Sequence, residues 1–583
     1  MKETIVGIDL GTTNSEVAVF ENMQPALIKR NNTAIFPSYV GIDQDGKLLV
    51  GEAARNQYPV YPERTVKSIK RLMGSGEKVT MAGKQYAPQE ISAIILKSLK
   101  EIAEEQLGHA VSRAVITVPA YFSDIQRQAT REAGEVAGFE TIKMINEPTA
   151  AALAYEGAQH DGKTIMVYDL GGGTFDVSVV RIEDGVIEVV ASHGNNQLGG
   201  DDFDRKIVDY VHKHLAETHG EITLSPEAEA RIIRAAEQAK LTLSDNPFAE
   251  IREEYLFEKD GVPVHLALEL SRDTYEEMST PFIDETLDAI HIALQGADLT
   301  ASDIEEVLLV GGSSRTPLVH EYIEREFGIL PRSEVDPDLC VACGAAIQAA
   351  MIAGEEVSAV LVDITPYTFG TGSLDFDIQR MGYKDIYVPL IKKNTPIPTR
   401  KSEVFYTMYD NQESVRVRVY QGENSKPNEN IEIGEFLISG LSEVPEGNEI
   451  ITTFALDTDG ILQVTATEKC SGLSKTITID NAIGRFQEDE LARAKGKIVE
   501  LFGDDTDDAQ PVVEEGATPE PEFQEAEKTL VKAEHLMENA EPEDREEMVD
   551  LAETIKDAMR NKDADRRAES VNELNEIIFY LES

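Results

Sequence analysis

The sequence predicts a protein of several domains, in which an α/β part is followed by a β part and then by a helical part. Up to about residue 355, short β-branched runs alternate with helical stretches, as where "AVITVPAYF" (114–122) precedes "SDIQRQATREAGEVAG" (123–138). From about residue 360, apolar and polar residues alternate with the period of a strand, as in "SVRVRVYQGE". Beyond residue 485, apolar residues recur at helical spacing. A chain of 583 residues also exceeds what one hydrophobic core usually supports.

The composition limits the classes of partner. The chain has 107 Asp and Glu residues against 54 Lys and Arg residues, a formal net charge of −53. Because this balance repels nucleic acid and anionic lipid, we expect no nucleic-acid partner and no membrane partner. Three cysteines exclude a disulfide framework. The chain has no apolar run of transmembrane length and no signal-peptide pattern at its start, so we expect a cytoplasmic location.

Two similar glycine-rich stretches stand out in the α/β part. They are "IVGIDLGTTNSEVAVF" (5–20) and "IMVYDLGGGTFDVSVV" (165–180), each an apolar strand followed by Asp, Gly, Thr and a second strand. Glycines let backbone N–H groups approach a phosphate closely, and a threonine hydroxyl adds a donor. An Asp at a strand end can hold Mg²⁺ through its water molecules. The two stretches are therefore interpreted as two halves of a clamp for the phosphates of a nucleotide.

Two further stretches, "QLGGDDFD" (197–204) and "VLLVGGSSRTP" (307–317), have the same character. Any one of the four alone is more often an ordinary hairpin turn. Four in one α/β region are harder to explain in that way. Neither a Walker-type phosphate loop nor a dinucleotide-binding G-x-G-x-x-G follows these strands, which disfavours the usual nucleotide-binding folds.

Composition changes along the chain predict the domain boundaries. The stretch "GEEVSAVLVDITP" is short and apolar, as a docking linker would be, whereas "GDDTDDAQPVVEEGATPEPE" is acidic and proline-bearing, as a flexible linker would be. Two helical faces follow, one with Met548, Leu551, Ile555 and Met559 and one with Leu574, Ile577, Ile578 and Leu581. The predicted parts are an α/β domain (1–356), an apolar linker (357–366), a β domain (367–484), a helix (485–502), an acidic linker (503–522) and a helical bundle (523–583).

The motifs resemble, in order, those of the seventy-kilodalton heat-shock chaperone family, the DnaK-like proteins. They include "GIDLGTTNS", "VPAYFSDIQRQAT", "INEPTAAALAY", "DLGGGTFDVS" and "NTPIPTRKSEVF", and the resemblance extends through residue 485. It implies an actin-like ATPase domain of two lobes, a β-sandwich that grips extended peptides, and an α-helical lid. It also implies a chaperone that hydrolyses ATP and whose nucleotide state switches its affinity for apolar segments of unfolded clients. ATP or ADP and Mg²⁺ are the implied cofactors, with K⁺ as a further candidate.

The resemblance assigns the catalytic residues by position. Asp9 and Asp169 would hold Mg²⁺ through water, and Thr174 would contact the phosphates. Lys70 would lie beside the γ-phosphate, where a positive charge stabilises developing negative charge. Glu147 and Asp176 would complete the set of carboxylates that aligns the attacking water.

Further residues are assigned in the same way. Taken alone, Glu237, Lys240 and Ser244 are polar residues on one helix face. Only the resemblance assigns them to adenine recognition. The nucleotide-binding set is Gly11, Thr12, Thr13, Gly171, Gly172, Gly173, Gly199, Gly200, Glu237, Lys240, Ser244, Gly311, Gly312, Arg315 and Asp338. The allosteric set is Pro119, Arg127, Lys143, Asn146, Leu361 and Asp363. The peptide-binding set is Leu374, Phe405, Met408, Val415 and Val417, of which Phe405 and Val417 could equally belong to the core of the β domain.

Several departures from the family pattern resemble a compact, specialised bacterial paralogue, HscC-like, more than the housekeeping protein. Thr371 replaces a usual aliphatic residue and Met408 a usual small one, the hairpin at 375–385 is long, and the segment between Gly74 and Tyr86 is short. Lys143 replaces an arginine at a position tied to J-domain docking. The expected partners are unfolded or extended clients, a J-domain cochaperone and, as a further candidate, a nucleotide exchange factor, acting on a monomer.

Two other interpretations stay open from the sequence. One is a nucleotide-gated scaffold or assembly factor for a specific native partner, which the altered peptide pocket would allow. The other is a metabolite kinase on the same core, which the β domain and lid disfavour. Separately, Cys340 and Cys343 form a C-x-x-C pair that we interpret as small residues packing a helix, with redox sensing as the alternative.

Overall fold

A computed structural model of the chain describes residues 4–155, 162–332, 336–355, 357, 359–377, 382–458, 460–478 and 488–503, and isolated positions between 529 and 578. The chain divides into two compact units, residues 1–503 and 504–583. Across the described ranges, no helix is both long and apolar enough to cross a membrane.

The first unit begins with the α/β part. Residues 4–155 form β1 (Ile5–Asp9), β2 (Asn14–Glu21), β3 (Gln24–Leu27), β4 (Phe36–Pro37), β5 (Val40–Ile42), β6 (Leu48–Val50), α1 (Glu52–Gln57), β7 (Thr65–Val66), β8 (Val79–Met81), β9 (Lys84–Tyr86), α2 (Pro88–Leu107), β10 (Arg113–Val118), α3 (Asp124–Val136), β11 (Thr141–Asn146) and α4 (Glu147–Tyr155). Residues 162–355 form β12 (Lys163–Leu170), β13 (Phe175–Glu183), β14 (Val186–Asn195), α5 (Gly200–His219), α6 (Pro226–Asp245), β15 (Phe248–Lys259), β16 (Val262–Ser271), α7 (Arg272–Gly296), β17 (Glu306–Val310), α8 (Pro317–Phe327) and α9 (Cys340–Ile352).

The rest of the first unit is mainly β structure. It forms β18 (Val360–Ile364), β19 (Phe369–Asp377), β20 (Gly382–Ile391), β21 (Pro396–Ile397), β22 (Thr399–Tyr406), β23 (Ser414–Gln421), β24 (Ile431–Ser439), β25 (Glu449–Leu456), β26 (Leu462–Glu468), β27 (Ser474–Thr478) and α10 (Glu488–Phe502).

The two main sheets of the α/β part repeat one pattern. In the sheet β11-β10-β1-β2-β3, strand β1 pairs antiparallel with β2 and parallel with β10. In the sheet β17-β12-β13-β14-β18-β21, strand β12 pairs antiparallel with β13 and parallel with β17. The two similar sequence stretches therefore occupy equivalent places, each forming the central hairpin of its sheet.

Local sequence signals account for how helices begin beside these sheets. Helix α3 starts with a capping box, in which Ser123 Oγ accepts a hydrogen bond from Gln126 N (3.4 Å) and Gln126 Oε1 accepts one from Ser123 N (3.0 Å). Helix α2 starts similarly, with Glu90 Oε2 accepting from Ala87 N at 2.7 Å. The short segment before α2 folds as the β8–β9 hairpin.

The β part consists of two antiparallel sheets that share one core. Their strand orders are β20-β19-β23-β24 and β22-β25-β26-β27. Phe436 on β24 and Phe454 on β25 are both buried in that core. Each sheet therefore has one face covered by the other, which explains the period-two alternation in the sequence.

The apolar linker is a strand rather than a loose tether. In β18, Leu361 pairs with Ile187 of β14, in parallel, and Asp363 pairs with Ile397 of β21. Because β14 belongs to the α/β part and β21 to the β part, β18 joins strands of both parts in one sheet.

Helix α10 packs against the α/β part. Ala494 and Ile498 are buried in the core around α2 and α3. Lys497 Nζ donates to Glu90 Oε1 at 2.8 Å and lies 3.7 Å from the centre of the Tyr86 ring. The structure describes the helix predicted over 485–502 from Glu488 onward. This helix contacts the α/β part.

In the second unit, the described positions include a small buried cluster. Met548, Ile555, Leu574 and Ile578 are buried together, and Leu551 and Ile577 pack against them. The two predicted helical faces therefore contribute to one core, while Met559 and Leu581 lie outside the described residues. The acidic linker predicted over 503–522 lies outside them as well, apart from Gly503.

Candidate functional site

The two central hairpins line a cleft of about 1160 Å³ in the α/β part. Sequence-predicted residues contribute to the cleft from both sheets. Those that line it are Asp9, Gly11, Thr12, Thr13, Lys70, Glu147, Asp169, Gly171, Gly172, Thr174, Glu237, Lys240, Gly311, Gly312, Arg315 and Asp338.

Several glycines of the cleft, among them Gly172 and Gly311, have no room for a side chain. A Cβ on Gly172 would stand 1.9 Å from Thr13 Oγ1, so the two hairpins meet by direct contact of backbone and side chain. Gly311 has a φ of +79°, in the left-handed region, and a Cβ there would stand 2.4 Å from Leu170 O. The glycine-rich sequence is thus explained by close approach of the two hairpins.

Five predicted residues do not line the cleft. Gly173, Gly199 and Gly200 stand behind its wall, where Gly200 N donates to Gly171 O at 3.0 Å. Ser244 Oγ donates to Lys240 O at 3.5 Å, within its own helix. Asp176 is buried beside Tyr121, whose backbone N–H donates to Asp176 Oδ1 at 3.0 Å.

A buried ion pair lies in the wall of the cleft. Lys70 Nζ donates to Glu147 Oε1 at 2.5 Å, and both residues are buried. Burial alone would lower the pKa of Lys70, but Glu147 and Asp9 outweigh burial and raise it, so the lysine is charged at neutral pH. Burial raises the pKa of Glu147, and Lys70 opposes that shift. A fixed positive charge therefore stands at the cleft, as phosphate transfer requires.

The two carboxylates predicted to hold Mg²⁺ differ in their partners. Asp9 Oδ1 accepts a hydrogen bond from Thr117 Oγ1 at 2.7 Å, whereas Asp169 Oδ2 is buried and has no hydrogen-bond partner. Burial, reinforced by Glu147 and Asp176, raises the pKa of Asp169 well above its usual range. An unpartnered carboxylate oxygen among other carboxylates fits a hydrated cation. Within the described ranges no three acidic, His or Cys side chains converge to bind a metal directly.

Sequence reasoning missed several residues of the cleft. Glu16 lies opposite Asp9 in the β1–β2 pairing, is 2% exposed and lines the cleft. Its signal was a charged residue in the apolar run of β2. Arg55 also lines the cleft and forms an ion pair there with Glu237, with Nη2 3.3 Å from Glu237 Oε1. Nothing in the sequence joins those two positions, since they are 182 residues apart.

A chain of hydrogen bonds leads from Asp176 toward the linker. Tyr121, which donates to Asp176, lies in the loop that Arg127 holds: Arg127 donates to Ala120 O at 3.0 Å and to Phe122 O at 3.2 Å. Pro119 O accepts from Phe122 N in the same loop.

The chain continues from Arg127 to the linker strand. Arg127 Nη2 donates to Asn146 Oδ1 at 2.7 Å, and Asn146 Nδ2 donates to Asp363 Oδ2 at 2.9 Å. Thr149 Oγ1 also donates to Asp363 Oδ2, at 3.3 Å. Four predicted allosteric residues and the linker residue Leu361 are thus contiguous, whereas Lys143 is half-buried on β11.

The residues predicted to bind peptide lie on the β part but differ in exposure. Leu374 and Met408 are exposed, at 48% and 37%. Phe405 and Val415 are half-buried, and Val417 is buried in the shared core. Thr371 is buried and donates through Oγ1 to Arg418 O at 2.7 Å, so it packs within the sheets rather than facing a ligand.

Fold and cleft together define a class of protein in which two similar sheets enclose glycine-rich hairpins and a linker strand connects them to a β domain. A family model described as Hsp70 protein matches residues 5–78 and 75–582. The chaperone protein DnaK of Thermotoga maritima is 44% identical over 504 residues, which cover 84% of this chain and 83% of that protein. The DnaK of Thermotoga neapolitana is 45% identical over 500 residues, covering 84% and 82%.

The chain belongs to the Hsp70 family. It is therefore an ATP-dependent chaperone and an ATPase, as the resemblance implied, with an ATPase domain and a peptide-binding domain. Proteins of this family bind ATP or ADP with Mg²⁺ and work on unfolded polypeptides with J-domain cochaperones.

Proposed function

We propose that the β part holds extended apolar segments of client polypeptides between its strands, and that ATP in the cleft weakens this hold by docking the linker. The ATPase domain is actin-like with two lobes, the β part is a sandwich, and the second unit is a helical lid. The observation that carries the proposal is the pairing of Leu361 with Ile187, which makes the linker part of the sheet that also carries Asp169.

The cleft residues divide the work of hydrolysis among them. Thr12, Thr13 and Thr174 donate to phosphate oxygens, and the N–H groups of the neighbouring glycines add to them. Asp9 and Asp169 are the residues that would hold Mg²⁺ through water, and the ion would neutralise charge on the phosphates. Lys70 supplies the fixed positive charge beside the γ-phosphate, and Glu147 fixes its position. We keep Asp176 as a residue that aligns the attacking water, although it lies beside the cleft and not in its lining, and the hydrogen bond from Tyr121 N links it to the loop before α3.

Adenine recognition falls to one helix and the opposite wall. Glu237 and Lys240 on α6 face the cleft, and Lys240 Nζ is held by Asp204 Oδ1 at 2.9 Å. Across the cleft, Arg315 is held by Asp338 at 2.8 Å. We leave Ser244 out of this set because its hydroxyl bonds within α6.

The subgroup of the family to which the chain belongs is inferred from its departures from the family's usual sequence pattern. The short β8–β9 hairpin and the large Met408 at the peptide site support a compact, specialised paralogue rather than a general chaperone. We further propose a cytoplasmic monomer that uses a J-domain cochaperone, with K⁺ in the cleft and a nucleotide exchange factor as further candidates.

The proposal is tested by the dissociation rate of a dye-labelled apolar peptide from the full chain, measured first with ADP and then with ATP. We expect ATP to accelerate release markedly. In Asp363→Ala, which removes the acceptor for Asn146 and Thr149, ATP should still bind but the acceleration should be lost. A peptide that never binds, or a release rate that ATP leaves unchanged in the wild-type protein, would refute the proposal.

A further inference from the structure

Three aromatic rings stack where the linker leaves the α/β part. The His193 ring on β14 meets the Tyr121 ring edge-on, with centroids 4.8 Å apart and planes at 75°. The Tyr121 ring meets the Tyr367 ring, just after the linker strand, also at 4.8 Å. Tyr367 Oη donates to Tyr121 O at 2.6 Å. His193 is therefore one ring away from the segment that moves if the linker undocks.

The surroundings of His193 disfavour its protonated, charged form. It is half-buried, and its Nδ1 is buried without a hydrogen-bond partner. Lys393, in the turn after β20, is close enough to oppose a second positive charge. Burial and, next, the Lys393 charge lower the pKa of His193 to about 4. Both influences favour the neutral imidazole while the domains are docked.

The acidic groups around the stack are engaged elsewhere. Asp176 accepts from Tyr121 N behind the ring. Glu285 on α7 accepts from Asn195, two residues along the same face of β14. Glu423, on the β part, accepts from Thr368 N at 2.9 Å and Thr368 Oγ1 at 2.8 Å. Tyr121 and Tyr367 are uncharged at neutral pH, and none of the three carboxylates is hydrogen-bonded to His193 Nδ1, so burial and Lys393 set the direction of the His193 pKa shift.

We propose that His193 is a positioning residue that makes docking of the linker and β part depend on pH, with acid releasing the docked arrangement. The inference rests on the proposed function only in taking docking to be the state that ATP favours. It goes beyond that function by adding protons as a second ligand of the same equilibrium.

The direction and size of the effect follow from linkage. Undocking removes Tyr367 and Lys393, so the His193 pKa returns toward its ordinary value of 6.5. Because the docked pKa is the lower one, docking is unaffected well above pH 6.5 and is weakened as the pH falls from there toward 4. At pH 5.5 the docking equilibrium constant is expected to fall at most about tenfold relative to pH 8.

The test uses the full chain with ATP and energy transfer between two dyes. The dyes are attached at Lys78→Cys on the α/β part and Glu443→Cys on the β part, with Cys470→Ser removing the exposed native thiol. We expect the docked fraction to fall on acidification from pH 8 to pH 5.5. His193→Phe, which keeps an aromatic ring but cannot be protonated, should show no such fall, and His193→Asn provides a second variant that does not titrate in this range.

The outcomes separate this inference from the function it rests on. Equal pH dependence in the wild-type protein and both His193 variants would overturn the role of His193 while leaving ATP-driven docking intact. The same holds for a wild-type docked fraction that is constant from pH 8 to pH 5.5. A wild-type protein that does not dock with ATP even at pH 8 would overturn the proposed function, and this inference with it.

Discussion

The nucleotide cleft and the linker junction are both built around buried carboxylates, but they satisfy them differently. In the cleft, Asp169 Oδ2 is buried without a partner. At the junction, Asp363 accepts from Asn146, from Thr149 and from Ile364 N. A buried carboxylate without partners is costly unless a ligand arrives, whereas one with three donors stabilises the contact by itself. The difference separates a site whose carboxylate is left for a ligand from a junction whose carboxylate is satisfied by donors of the protein itself.

The largest effect is expected at the fixed charge of the cleft. Lys70→Ala should retain nucleotide binding but lose about a hundredfold or more in hydrolysis rate, because a buried, preorganised charge acts mainly on the transition state. The measurements are single-turnover phosphate release and nucleotide affinity. Lys78→Ala, at an exposed lysine nearby, is the control. Normal turnover in Lys70→Ala would show that the cleft does not use this charge.

The next effect concerns the junction. Arg127→Lys cannot hold Ala120 O, Phe122 O and Asn146 Oδ1 together, since lysine lacks the fork of the guanidinium. Leaving such groups unpaired costs about 1–3 kcal/mol. The ATP-induced acceleration of peptide release should therefore shrink by about 5- to 150-fold, with single-turnover hydrolysis nearly unchanged. Arg205→Lys, at an exposed ion pair, should leave both rates alone, and a hydrolysis defect in Arg127→Lys as large as its coupling defect would contradict the division between cleft and junction.

A buried carboxylate in the β part sharpens the comparison, because it resembles the junction and has no ligand role. Glu468 accepts from Ser442 N at 2.8 Å, from Asn448 Nδ2 at 2.6 Å and from Ser471 Oγ. These donors outweigh burial and lower the pKa of Glu468 to about 2. Because the folded pKa is the lower one, its stabilisation is complete above pH 4.5 and is lost as the pH falls toward 2.

Glu468→Gln should destabilise the β part by about 1–3 kcal/mol at pH 7, and the difference from the wild-type protein should narrow toward pH 3. Urea unfolding at the two pH values measures both effects, with the exposed Glu443→Gln as the matched control. A difference that does not depend on pH would mean that the charge of Glu468 is not what its donors stabilise.

The smallest effect is an expected absence of reaction at Cys340 and Cys343. Burial, followed by Asp169 and Asp9, raises the pKa of Cys340 well above its usual range, and burial raises the pKa of Cys343 to about 11. Thiols that stay protonated react slowly. At pH 7.5 an alkylating reagent should modify the exposed Cys470 and spare the other two until the protein is unfolded, as mass spectrometry of peptides would show. Rapid native modification of both would restore the redox interpretation.

The two hairpins of the cleft could be predicted from the sequence more completely than the other residues around the cleft. Asp9 and Asp169 follow strands and precede glycines, so a local pattern located them. Ser244 does not line the cleft, because a shared helix face does not tell how far along the helix the cleft extends. Arg55 and Glu237 meet only through folding, since their distance along the chain carries no signal. Contacts between residues that are far apart along the chain could not be predicted from the sequence pattern.

The same limit applies to the β part and the junction. Val415 and Val417 fall on one face at period two, and only the packing shows that Val417 is in the core while Val415 is half-buried. The apolar linker was predicted to dock, but its partner strand β14 was not identifiable from composition. His193 likewise carried no signal, because its neighbours Tyr121 and Tyr367 come from distant positions.

When the linker strand β18 undocks, it exposes the edge of the strand with which it was paired. While β18 is paired, the rim of β14 at Val186, Ile187 and Glu188 is covered. Once β18 departs, the N–H and C=O groups of that rim become an open sheet edge, a surface on which any extended chain, including a client or a second copy, can align. Undocking uncovers only three residues of β14, and so short a newly exposed stretch limits such pairing. The short pairing between β18 and β14 thus limits self-association in the undocked state, in which the β part holds unfolded polypeptide.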